Sequence, residues 1–96
     1  MPNLTLLAHI HAEPAQTALV RAALMALIAP TRAEAGCIQY DLHQSNTDPA
    51  HFFFYEIWAT RDHWQAHMQS PHILANGPAT KGAIASVVLH EMTLIG

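Results

Sequence analysis

This chain is short of charge, of cysteine and of long apolar runs, and each shortage removes a class of function. Only 11% of its 96 residues are Asp, Glu, Lys or Arg, against about one quarter in ordinary globular domains. Four Lys plus Arg and a formal net charge of -3 leave no basic stripe, which argues against a nucleic-acid or anionic-membrane partner. Cys37 is the single cysteine and cannot close an intramolecular disulfide. Placed after Gly36 in an expected strand, it reads as a buried apolar thiol. No segment reaches the 18 or so apolar residues that span a bilayer, and no charged stretch precedes an apolar one as in a secretion signal. The expected location is the cytoplasm.

What the chain does have is apolar residues, 51% of the total. Ninety-six residues make one domain, 1–96, whose core buries a smaller share of its surface than a larger protein's does. A sizeable part of that surface is therefore expected to be an interface.

Leu4, Leu6, Ala8 and Ile10 alternate with Thr5, Leu7, His9 and His11, the period of a strand over 4–11. Leu19, Val20, Ala23, Leu24, Leu27 and Ile28 recur at helical spacing within about 15–34. Pro30 should kink or break that helix, and Gly36 should end it. A second strand is expected over 37–43, then a turn through Asn46, Asp48 and Pro49, then a third strand over 52–59. Thr60 suits a helix N-cap, and Ser70 before Pro71 resembles a second one, so the next helix should come in two pieces. Asn76, Gly77 and Pro78 read as loop, with a further helical turn possible near 79–85 and a last strand over 86–95.

The order is βαββαβ, an α+β ferredoxin-like fold with an antiparallel sheet and helices on one face. Strand three places Phe52, Phe54 and Trp58 on one side and Phe53, Tyr55 and Ile57 on the other. Helices cover one side only. A second copy laid sheet against sheet would cover the other, making a homodimer and a dimeric α+β barrel.

This order, with Thr31-Arg32-Ala33-Glu34-Ala35-Gly36-Cys37, Tyr40, Tyr55-Glu56-Ile57-Trp58 and Ala66-His67-Met68-Gln69-Ser70-Pro71-His72, resembles the antibiotic biosynthesis monooxygenase family. The segment from His67 to His72 is most similar to its bacterial quinol monooxygenases. The resemblance implies cofactor-independent oxygenation, by O2, of a small phenolic, quinol or anthrone-type aromatic substrate, with no haem and no metal. Haem-degrading members use a helix-two histidine and a strand-one asparagine. Here those positions hold Gly77 and Ile10.

Such a reaction needs a base, a donor for the substrate anion and an apolar wall. His67 and His72 are candidate acid-base residues because histidine titrates near neutrality. Glu56, isolated in the most apolar strand, needs a partner, and Arg32, Arg61 and His90 are candidates. It serves either as a base or as a structural bond. Trp58 and Tyr40 are candidate wall and hydrogen-bond donor, His9 and His11 candidate pocket residues, and Asn76 a cap near enough to touch a ligand. His63 and His67, at i and i+4, could form half a metal grip with Glu56 or His72, but eight histidines make such a pair common by chance. Two other readings remain open. One is an isomerase or proton-transfer enzyme acting on a small sugar-like or phosphorylated compound, the other a non-catalytic barrel that binds a small ligand.

Overall fold

The computed structural model describes residues 3–96. Strands β1 (Leu4–Ala12), β2 (Cys37–Gln44), β3 (His51–Trp58) and β4 (Ile84–Met92) form one antiparallel sheet in the order β2-β3-β1-β4. Helices α1 (Thr17–Met25), α2 (Ile28–Arg32), α3 (Arg61–Met68) and α4 (Pro71–Ala79) follow a 3-10 turn at Pro14–Gln16. This is the α+β ferredoxin-like arrangement expected of the sequence. The period-two alternation decides which side of each strand enters the core. Leu6, Ala8 and Ile10 of β1, Tyr40 of β2 and Phe52, Phe54 and Trp58 of β3 are all buried, and Val20, Leu24 and Leu27 pack against them from the helices.

The first helix breaks earlier than Pro30, at Ala26 and Leu27, and Pro30 lies inside α2. The proline ring clashes with the carbonyl four residues before it, which is that of Ala26. The chain tightens there, with the Leu27 amide bonding Leu24 rather than residue 23. Gly36 sits at φ +80°, and a Cβ at that position would strike the His63 side chain. Both its backbone and its closeness to α3 demand glycine.

Thr60 caps α3, its Oγ1 accepting from the His63 amide at 3.2 Å. Ser70 stands at the N-cap position of α4 with Pro71 as first helical residue, but its hydroxyl makes no cap bond. Residues 76–78, read as loop, instead complete α4. The Asn76 side-chain amide donates to the Ala23 carbonyl of α1 at 3.2 Å, so a contact across 53 residues holds a segment that local chemistry disfavours. β4 accordingly starts two residues earlier than expected and ends at Met92.

The helices leave β4 uncovered. Val87 and Leu89 pair with Ile10 and Ala8 and so share the helix-facing side, yet both are exposed, as are Val88, Met92, Leu94 and Ile95. Exposed apolar surface is concentrated here, and less on the outer side of β3, where Phe53, Tyr55 and Ile57 are half-buried. Histidine rings shield part of that side, His9 lying 4.8 Å and His43 5.9 Å from the Phe53 ring. Among the described residues no helix is long and apolar enough to cross a membrane.

Candidate active site

A cavity of about 170 Å³ lies between the helix layer and the inner side of the sheet. Its walls are largely aliphatic and aromatic, and four polar side chains reach it: Tyr40 from β2, Glu56 from β3, His67 from α3 and Asn76 from α4. Its β4 side is formed by Ile84, Val87 and Leu89. No Lys or Arg is among the lining residues.

Glu56 enters the cavity because it occupies an inward position of β3, directly paired with Leu6 and Tyr40 on the flanking strands. It is 3% exposed. Its partner is none of Arg32, Arg61 and His90. Arg32 bonds the Tyr40 carbonyl and Asp41, Arg61 pairs with Glu91, and His90 points to the opposite side of the sheet. The Trp58 indole, two residues along the same strand and so on the same side, donates to Glu56 Oε1 at 2.9 Å. Burial raises the Glu56 pKa to about 7, outweighing that bond, and the nearby Glu34 charge adds to the rise. Burial, with Glu56 next, also pushes the Tyr40 phenol far up, so it remains a neutral donor.

His67 is 2% exposed and packed among aromatic rings, tilted against Trp58 at 4.7 Å and edge-on to Tyr40 at 5.5 Å between centroids. Its Nδ1 lies 2.6 Å from Glu34 Oε2. A carboxylate accepts only, so Nδ1 carries the proton and Nε2 keeps its lone pair. Burial lowers the His67 pKa, Glu34 opposing the shift. The same Glu34 oxygen meets His72 Nε2 at 2.8 Å, and Ser70 Oγ, unused as a cap, lies 3.2 Å from that nitrogen. Glu34 thus joins two histidines across the helix break between α3 and α4.

The structure brings Tyr40, Glu56, His67 and Asn76 to one cavity, with Trp58 behind Glu56 and His72 behind His67 through Glu34. His9 and His11 do not reach it. They occupy outward positions of β1, where His9 Nδ1 lies 2.9 Å from His51 Nε2 and His11 stacks on His51 at 4.3 Å. Strand periodicity forbids them the inner side that Ala8 and Ile10 fill. His63 does not join His67 either. Its Nδ1 bonds Thr60 Oγ1 at 2.8 Å. Glu34 is the residue that sequence reasoning passed over. It lies in the Thr31–Cys37 motif, but its partners are 33 and 38 residues away.

Residues 3–76 match the family model described as antibiotic biosynthesis monooxygenase. The chain belongs to this family. Rv0793 of Mycobacterium tuberculosis is 41% identical over 61 residues, an alignment covering 64% of this chain and 59% of that protein. An uncharacterized Synechocystis protein, sll1783, is 38% identical over 45 residues, covering 47% of this chain and 31% of that one. The chain therefore aligns with less than two thirds of the length of either relative. Among solved structures, PA3566 from Pseudomonas aeruginosa superposes with a TM-score of 0.96 at 33% identity, over 100% of this chain and 97% of that one. The Rv0793 structure superposes at 0.90 with 27% identity, over 98% and 96%.

Proposed function

We propose that this member of the family is a cofactor-independent monooxygenase acting on a small, single-ring phenol or quinol. The observation that carries the reading is His67, held by Glu34 at one ring nitrogen and lining an apolar cavity with the other nitrogen unpartnered. A carboxylate-oriented imidazole kept neutral by burial is suited to take a phenolic proton near neutral pH. Tyr40 and the protonated form of Glu56 are the donors for the resulting anion, Phe54 supplies aromatic wall, and Trp58 holds Glu56 from behind. His72 is a positioning residue that acts through Glu34, and Asn76 contributes at the α4 end of the cavity.

The substrate anion passes one electron to dioxygen, and the radical pair recombines through a new carbon–oxygen bond. The peroxide then loses its distal oxygen as water. For a hydroquinone the products are a hydroxyquinone and one water, which accounts for both oxygen atoms and needs no outside reductant. An apolar wall that excludes bulk water keeps the radical pair together. The cavity's size suits a single ring, since a void of about 150 Å³ holds one benzene ring. Absence of any lysine or arginine from the lining favours an uncharged aromatic over a phosphorylated sugar. A second copy covering β4 belongs to the same reading, because the exposed apolar Val87 and Leu89 of β4 flank the cavity on the helix-facing side and a partner there would close it.

The test is oxygen uptake with single-ring hydroquinones and with three-ring anthrones, in protein shown by spectroscopy to be folded. Uptake should favour the single rings and fall by 100-fold or so in His67→Ala, the scale of a lost general base. Equal uptake by wild type and His67→Ala would remove the basis for the assignment.

A further inference from the structure

We propose that Glu34, His67 and His72 form a binding site for one divalent transition ion of the zinc type, beside the substrate cavity, which only His67 of the three lines. Glu34 Oε2, His67 Nδ1 and His72 Nε2 all lie within 4.8 Å of one another. Two imidazoles and a carboxylate are a donor set for such ions and leave a coordination position open. The hydrogen bonding is lopsided. Oε2 faces both ring nitrogens, at 2.6 and 2.8 Å, while Oε1 makes no hydrogen bond. Bonds of about 2.1 Å to a tetrahedral ion set donor atoms roughly 3.4 Å apart. Opening the 2.6 and 2.8 Å contacts to that spacing takes about 0.8 and 0.6 Å, and Glu34 sits in the turn between α2 and β2 rather than in a helix or strand. Ser70 Oγ lies 3.2 Å from the same His72 nitrogen, a contact the ion would replace. His72 also lines a surface groove between α1 and α4, which gives an ion a route in.

The consequence for His67 follows from tautomer chemistry. An ion on Nδ1 displaces the proton there, so Nε2 must carry it and the unpartnered nitrogen changes from acceptor to donor. On the monooxygenase reading, which this consequence rests on, the metal-bound form is the inactive one. Ion binding does not rest on that reading and is measured without turnover.

The full chain, freed of metal by chelator dialysis, is titrated with Zn²⁺ by calorimetry and native mass spectrometry. One tight equivalent per chain is expected, with nitrogen chemical shifts of the His67 and His72 rings moving together. Glu34→Gln and His72→Gln, both able to keep hydrogen bonds, should weaken binding by about 10 to 100-fold or more. His9→Ala/His51→Ala, which disrupts the neighbouring imidazoles on the outer side, should leave it unchanged. Loss of the tight equivalent in that double variant, or its survival in both glutamine variants, would overturn the site.

Discussion

The two sides of the sheet are built from alternate residues of the same strands, and both carry polar groups, yet they handle them in opposite ways. On the inner side Tyr40, Glu56 and Trp58 are desolvated, and the Glu56 carboxylate is bonded at short range to the Trp58 indole. On the outer side His9, His11 and His51 are stacked on one another in partial contact with water. His9 too has its pKa lowered, first by desolvation and then by the charges of His51, His90 and His11, but its environment comes from other imidazoles rather than from a carboxylate. Burial without water forces specific pairing, whereas partial exposure tolerates a crowd of like groups. Proton-transfer chemistry at neutral pH needs the first environment.

The largest contrast between the sides should come from their aromatics. Trp58→Ala leaves a void at a fully buried position and strips Glu56 of its donor. A loss of about 4 kcal/mol or more is expected by urea denaturation. Phe53→Ala, on the outer side, should cost no more than about 1 kcal/mol in the isolated chain, so a larger, concentration-dependent loss there would indicate that a second copy covers it.

Next in size is a pH effect confined to the inner side. The Glu56 pKa of about 7 lies above its value of 4.5 in a solvated chain, so the folded state holds the extra proton. That contribution to stability is fully present below about pH 4.5 and is lost as pH rises through 7. Its size is of the order of 3 kcal/mol from the shift alone. Glu56→Gln should flatten this part of the stability curve and, if the protonated acid is a donor, the alkaline limb of the rate profile as well. A curve unchanged by the substitution would place the titration elsewhere.

The smallest effect should be His9→Ala. Removing one member of a half-exposed imidazole stack is expected to shift stability by about 0.5 kcal/mol or less and to leave oxygen uptake untouched. A loss of uptake would show that the outer side reaches the chemistry after all.

Much of the fold was legible because it rests on local rules. Alternation at Leu4–Ala12 and His51–Trp58 fixes which residues enter the core, Thr60 marks where α3 begins, and Ser70 with Pro71 marks where α4 begins. The same rules misread residues 76–78, whose helical state depends on a contact with Ala23. The site divides along the same line. His67, His72, Glu56 and Tyr40 stood out by residue type in an apolar setting. The pairing of Glu56 with Trp58 needed only the i, i+2 spacing of a strand, but charge complementarity directed attention to arginines instead.

By itself the sequence determined the βαββαβ order and which residues share a side of each strand, Glu56 with Phe54 and Trp58 and His9 with His11, because each follows from a backbone period that neighbours in the chain enforce. Only the tertiary structure decided that Glu34 holds both His67 and His72, since that junction joins the turn after α2 to two helices more than thirty residues away. No spacing rule spans such a distance. Sheet order and helix packing bring those groups together, and desolvation there gives a common carboxylate and two common imidazoles their particular chemistry.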